Sequence, residues 1–141
     1  MAGPLAGIRV LDLSRVLAGP WCTQIFADLG AEVIKVERPE LGDTRHWGPP
    51  WLSDQEGADT KESSYYLSAN RGKHSVTIDI GKPAGRDLVL ELVARCDILV
   101  ENFKTGDLAK KGLGYDDLRV DNPGLIYCSI TGFGQTGPMS E

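Results

Sequence analysis

Charged and polar side chains gather where short apolar runs stop. Val10–Leu13 carries Asp12 and gives way to Ser14-Arg15, Glu32–Val36 leads into Glu37-Arg38, His74–Ile80 carries Asp79 and ends at Gly81-Lys82, and Asp97–Val100 ends at Glu101-Asn102-Phe103-Lys104. Arg38, Lys104, Lys110 and Lys111 stand at or beyond such ends. Their guanidinium and ammonium groups can hold phosphates or carboxylates, and solvated surface charge is the plainer reading. Asp12, Asp79, Asp97 and Glu101 are candidate nucleophiles or bases. Asp12 and Asp79 interrupt apolar strands, where a carboxylate more often serves as a structural hydrogen-bond acceptor or cap. Asn102 beside Phe103 can hydrogen-bond to and stack on a purine, or can be a turn residue next to a core aromatic. His46 and His74 have no evident acid or nucleophile partner, so Ser-His-Asp catalysis gains no support.

Gly132-Phe-Gly134-Gln-Thr-Gly137 follows an apolar run and matches the spacing of the dinucleotide fingerprint. That fingerprint also needs a helix opening at its end and an acidic residue about 20 positions on. Pro138 and the end of the chain leave neither, so a tight backbone turn is the better reading.

The elements that position these groups alternate between strand and helix. Strands are expected at Gly7–Leu13, Glu32–Val36, His74–Ile80, Ile98–Val100 and Leu125–Ile130. Pro20 suits a first helical position, and Cys22, Ile25, Phe26 and Leu29 follow at helical spacing before Gly30. An amphipathic helix is expected over Ala84–Cys96, and short helices over Thr105–Leu113 and Tyr115–Val120. Residues 38–64, with Pro39, Pro49, Pro50, Trp47 and Trp51, read as a long insertion without a sustained period. The alternation predicts an α/β fold, an open and mainly parallel sheet with helices on both faces, whose ligands sit at the carboxyl ends of the strands.

Composition narrows the function. With 141 residues the chain has the length of one domain, and 15 Lys and Arg against 20 Asp and Glu give a net charge of −5. No global basic field is present to attract nucleic acid or anionic lipid, and no apolar run reaches the ~20 residues of a membrane span. Cys22, Cys96 and Cys128 lack metal-ligand spacing and are odd in number, which argues against a disulfide scaffold or zinc site. The first strand begins within a few residues of Met1, so the expected location is cytoplasmic; the mitochondrial matrix requires a transit peptide missing from this chain. The last strand runs into a glycine-rich loop where the chain stops, which reads as part of something longer.

Taken together, Leu11-Asp-Leu-Ser-Arg-Val-Leu-Ala-Gly-Pro20, Asp28-Leu-Gly-Ala-Glu-Val-Ile-Lys-Val-Glu-Arg-Pro39, Gly42-Asp43, Asp97-Ile-Leu-Val-Glu-Asn-Phe103, Gly112-Leu-Gly-Tyr115 and Ser129-Ile-Thr-Gly-Phe-Gly-Gln-Thr-Gly-Pro138 resemble the class III CoA-transferases, the formyl-CoA and carnitine CoA-transferase family. Within it, Asp43-Thr-Arg-His-Trp-Gly-Pro-Pro50 and the closing Thr131-Gly-Phe-Gly-Gln-Thr-Gly-Pro138 look most like the succinyl-CoA:glutarate branch. The resemblance implies a Rossmann-like large domain plus a small domain, with these residues being the N-terminal, CoA-binding part of the large domain. It further implies an interlocked homodimer, acyl-CoA and carboxylic acid substrates, and no metal. By the same resemblance, coenzyme A is contacted by Val16, Leu17 and Ala18, by Arg38, by Ile78, Asp79, Ile80 and Gly81, by Asn102, Phe103 and Lys104, and by Lys110. Lys110 stands where relatives can carry Arg, and Gly81 where a Lys can occur, with Lys82 adjacent. The nucleophilic Asp of the family is expected beyond residue 141, leaving this chain inactive by itself. Two alternatives are an α-methylacyl-CoA racemase of the same superfamily and a non-catalytic dinucleotide-binding module.

Overall fold

Each of the five apolar runs becomes a strand of one parallel sheet. The computed structural model describes residues 3–40 and 42–140. In chain order its elements are β1 (Arg9–Asp12), α1 (Ala18–Asp28), β2 (Glu32–Glu37), β3 (Trp51–Ser53), β4 (Asp59–Ser63), α2 (Ser64–Ala69), β5 (His74–Thr77), α3 (Pro83–Val93), β6 (Ile98–Glu101), α4 (Tyr115–Asp121) and β7 (Ile126–Ser129). The sheet order is β5-β2-β1-β6-β7, with every neighbouring pair parallel. The strand order reverses direction at β1, so the crevice between the carboxyl ends of β1 and β6 is the topological switch point of a Rossmann-like sheet.

Side chains alternate across β1, and the two faces build different interiors. Leu11 and Leu13 join Val36, Val89, Val93, Leu99 and Leu118 in an apolar layer under α3 and α4. Val10 joins Val33, Val100 and Ala31 on the opposite face, where Phe26 and Ala27 of α1 pack. On that same face Asp12 and Lys35 are fully buried and directly opposite one another in the ladder.

Three expectations change in the structure. Helix α1 forms, but it buries Gly19, Pro20, Thr23 and Gln24 while Ile25 and Leu29 stay exposed. The cause is the polar interior it faces: Thr23 Oγ1 donates to Asp12 at 2.6 Å, and Gln24 Oε1 accepts from the Arg71 amide at 2.9 Å. The stretch 38–64 is not structureless, because β3 and β4 pair antiparallel within it and Ser63 caps α2 by accepting from the Tyr66 amide. The helix expected over Thr105–Leu113 contracts to turns and a single 3-10 turn at Ala109–Lys111, closed by Gly112 at φ +68°. No helix among the described residues is long and apolar enough to cross a membrane.

Candidate functional site

The rim of the sheet is assembled from the strand exits, and its central turn is gripped from both flanks. After β1, Ser14, Arg15 and Val16 lead into α1, with Val16 at φ +69°. A β-branched residue is strained in that region, so surrounding contacts must hold it there. From the β6 side, the Asn102 carboxamide accepts from the Arg15 amide at 2.8 Å and donates to the Arg15 carbonyl at 2.7 Å. From the β2 side, both Asp43 carboxylate oxygens accept from the Val16 amide, at 2.9 and 3.1 Å. Gly19 completes the turn: a Cβ there would lie 2.2 Å from the Ser14 side chain, so only glycine lets α1 start this close to the strand.

Beneath the rim lies a buried ionic network. Asp12 accepts from Ser14 Oγ, from the Ser14 amide at 2.9 Å, from Thr23 Oγ1, and from Lys73 Nζ at 2.9 Å. Lys73 Nζ also donates to the Pro20 carbonyl and to Asn70 Oδ1. Lys35 Nζ donates to the Ser14 carbonyl at 2.9 Å and pairs with Asp43 at 3.3 Å. Two cations and two anions thus balance inside the protein, which is the condition for burying charge at all. Burial alone would raise the Asp12 carboxyl, but Lys35, Lys73 and the hydroxyls of Ser14 and Thr23 outweigh it and hold the group below the ordinary carboxylate range. Burial draws the Lys73 ammonium down despite Asp12.

A second network pins the loop after β2. Glu37 accepts from Arg45 Nε and Nη2 at 2.7 and 2.8 Å, from Tyr66 Oη at 2.7 Å and from Ser75 Oγ at 2.6 Å. The Arg45 guanidinium also stacks 3.9 Å from the centre of the Tyr66 ring. Holding Arg45 in place carries Asp43 to the β1 exit.

Over these networks opens a cleft of about 360 Å³, lined by Leu13, Arg15, Val36, Glu37, Arg38, Gly42, Asp43, Ile78, Asp79, Ile80, Gly81, Phe103 and Lys111. Of the residues the resemblance implies, Arg38, Ile78, Asp79, Ile80, Gly81 and Phe103 therefore share one cavity. Asp79 shapes its far wall by accepting from the Gly81 amide at 2.9 Å, and Gly85 lets α3 approach, since a Cβ there would lie 2.0 Å from the Asp79 carbonyl. Val16 and Leu17 lie on the turn at the switch point and Ala18 opens α1, all three outside the cleft lining. Asn102 acts on Arg15 backbone, Lys104 is exposed beyond β6, and Lys110 is exposed and paired with Asp107 at 3.1 Å. Lys111, not Lys110, faces the cleft, because the 3-10 turn sets the direction of each lysine.

Arg15 and Asp43 were not picked out by the sequence reading. Arg15 carried the same signal as Arg38, a cation directly after a strand, and its guanidinium sits 4.8 Å from the centre of the Phe103 ring. Asp43 lies within the aperiodic stretch 38–64; it belongs to the segments that carry the family resemblance, but nothing in its setting assigned it a role. Gly132–Gly137 is a run of bends after β7, with Gly134 at φ +85° and Gly137 at φ +101°, conformations that favour glycine in a tight turn.

The sequence and the fold also recur in known proteins. The family described as CoA-transferase family III matches residues 5–141. The chain belongs to that family. It is 57% identical over 139 residues to a succinate–glutarate CoA-transferase of Agrobacterium fabrum and 54% identical over 139 residues to a human succinyl-CoA:glutarate CoA-transferase. These alignments take in 98% of this chain but 34% and 30% of those relatives, so it spans about a third of their length. Among solved structures, a CAIB/BAIF family protein from Brucella suis superposes with a TM-score of 0.91 at 53% identity, over 100% of this chain and 36% of that one. Rv3272 of Mycobacterium tuberculosis gives 0.86 at 41% identity, over 99% and 37%. Family membership and the mainly parallel α/β sheet agree with the expectations from sequence.

Proposed function

We propose that this CoA-transferase family III chain provides the coenzyme A-holding rim of an enzyme that moves CoA between succinyl-CoA, or a similar dicarboxylyl-CoA, and a free carboxylate. One observation carries the reading: Arg38, Ile78–Gly81 and Phe103 converge on a single cleft at the carboxyl edge of the sheet, where α/β folds take their ligands. The cleft offers cations for phosphates, an aromatic face for a base and an apolar floor. The similarity to succinyl-CoA:glutarate enzymes supports a dicarboxylate preference.

In this reading the reaction runs through an aspartate outside these 141 residues. Its carboxylate attacks the thioester carbonyl, forming a mixed anhydride and releasing CoA thiolate. The thiolate then attacks the aspartyl carbonyl of the anhydride, giving an aspartyl-CoA thioester and freeing the first carboxylate. The acceptor carboxylate repeats the cycle in reverse, and the aspartate emerges unchanged. Asp12 and Asp43 are occupied by lysines and backbone amides, and Glu37 by Arg45, Tyr66 and Ser75, which suits structural work. An interlocked homodimer belongs to the same reading, and the exposed Trp21, Ile25 and Leu29 of the α1 region are apolar surface it would cover.

Incubation with succinyl-CoA and glutarate tests the assignment, using this chain alone and a chain extended to the length of its relatives. Exchange only in the longer chain is expected; turnover by the 141 residues alone would place the nucleophile among them and overturn the mechanism. Calorimetric titration with CoA and with NAD separates the dinucleotide alternative, and solvent deuterium appearing at the α-carbon of an acyl-CoA would identify a racemase instead.

A further inference from the structure

We propose that Asp43 is a positioning residue, whose carboxylate latches the β1 exit turn into the conformation that coenzyme A meets. The inference rests on the CoA reading of the rim and names a residue which that reading does not. Three observations carry it. Val16 is one of two non-glycine residues at positive φ among the described residues, and both Asp43 oxygens accept from its amide. Asp43 lines the cleft with its side chain only 5% exposed, so it belongs at once to the wall and to the support of the wall. Its other partner, Lys35 at 3.3 Å, donates to the Ser14 carbonyl two residues earlier in the same turn.

The geometry gives the latch a direction. The turn after the central strand is held from the β2 flank by Asp43 and from the β6 flank by Asn102, across the switch point. Releasing Asp43 leaves a β-branched residue free to relax to negative φ. The relaxation re-aims the peptide groups around Val16 and the start of α1, while the apolar layers on either side of the sheet stay intact. A loss at Asp43 therefore reads out as weaker ligand binding in a folded protein.

The test has two readouts, the hydrogen-exchange protection of the Val16 amide and the Kd for CoA by calorimetry. Asp43→Ala is expected to abolish the protection and weaken CoA by about tenfold or more, in line with the cost of misplacing a binding group. Asp43→Asn keeps one carbonyl acceptor and is expected to retain the protection, with CoA affinity within about threefold of the parent. Asp43→Ala combined with Val16→Gly is the decisive variant: glycine takes φ +69° without strain, so it should recover much of the affinity lost by Asp43→Ala. Unchanged protection and affinity in Asp43→Ala overturns the latch, and so does an Asp43→Asn that loses CoA while Val16 stays protected. Should Asp43→Ala fail to fold, its combination with Val16→Gly decides: a fold recovered by the glycine supports the latch, and an equally unfolded protein overturns it. If the parent chain binds no CoA, the reading of the rim falls, and Val16 exchange in the two variants still decides whether the latch exists.

Discussion

The two flanks of the rim use charge in opposite ways. Below the exits of β1 and β2, Asp12, Lys35, Lys73 and Asp43 are buried side chains that pair with one another and with backbone. Beyond the exit of β6, Lys104, Lys110 and Asp107 project into solvent or pair three residues apart along one turn, and Arg38 after β2 joins this solvated fringe. Buried pairs on the first flank fix the backbone and are costly to disturb; solvated pairs on the second are worth little to stability and are free to meet a ligand. Charge therefore divides into a foundation that sets the shape of the rim and a fringe that sets its attraction for anions.

The sharpest break in this contrast is at Asp12. Asp12→Ala leaves the buried Lys73 ammonium without its carboxylate partner, while Lys35 keeps Asp43, and removing one partner of a buried pair costs about 3–5 kcal/mol. Against a total of roughly 5–15 kcal/mol for an ordinary domain, that is a large share. Urea denaturation should show the midpoint collapse, whereas Asp107→Ala should leave it within experimental scatter. Equal effects at the two positions would refute the division.

Acid should act on the foundation in a defined window. Burial raises the Glu37 carboxyl, but hydrogen bonds from Arg45, Ser75 and Tyr66 and the charge of Arg45 bring it down to about 2, from an ordinary value of 4.5. A folded value below the unfolded one means that the stabilisation is complete above about pH 4.5 and shrinks as the pH falls toward 2. Asp12 is shifted in the same direction. The urea midpoint is expected to drop steadily across that window, and Glu37→Gln, at a cost of about 1–3 kcal/mol near neutral pH, should flatten the part of the slope that Glu37 supplies. A Glu37→Gln slope as steep as the parent's would assign the acid sensitivity elsewhere.

Legibility from sequence follows the same division. The inner strands β1, β2 and β6 were readable because each is an apolar run closed by polar residues, as parallel strands inside a sheet require, and the edge strand β5 because of its β-branched alternation. The fringe was readable too, since Arg38 and the lysines stand where a strand stops. The foundation was harder. Asp12 could be read as structural because it interrupts an apolar strand, but its partner Lys73 lies in a polar stretch 61 positions away, and only the pairing of β5 with β2 brings it near. The apolar spacing of α1 does not mark its buried face for a related reason: that face lies against Asp12, so Thr23 and Gln24 turn inward and Ile25 turns out. Lys110 and Lys111 could not be told apart because their directions depend on one 3-10 turn.

On the fringe, the same contrast predicts graded losses of affinity with little change in stability. Arg38→Ala should weaken CoA by about tenfold, the scale of one charge-assisted contact. Lys111→Ala should cost about threefold, and Lys110→Ala less than about twofold, because Lys111 faces the cleft and Lys110 is engaged with Asp107. Titration calorimetry on the three variants orders them. A larger loss at Lys110 than at Lys111 would mean that the 3-10 turn rearranges around the ligand, or that the cleft extends further toward β7.

The smallest effect expected lies at the seam between the two networks. Thr44 sits between Asp43 and Arg45, is 1% exposed, and its hydroxyl has no hydrogen-bond partner among the described residues. A buried unpartnered hydroxyl costs stability that a methyl of the same shape does not, so Thr44→Val should raise stability by up to about 1 kcal/mol. Because the substitution touches neither the Asp43 latch nor the Glu37–Arg45 pair, CoA affinity should stay unchanged. Destabilisation by more than about 1 kcal/mol would show that the hydroxyl is satisfied by a bound water. The loop would then be tied to the rim at a third point, and the foundation would extend continuously from Asp12 to Glu37.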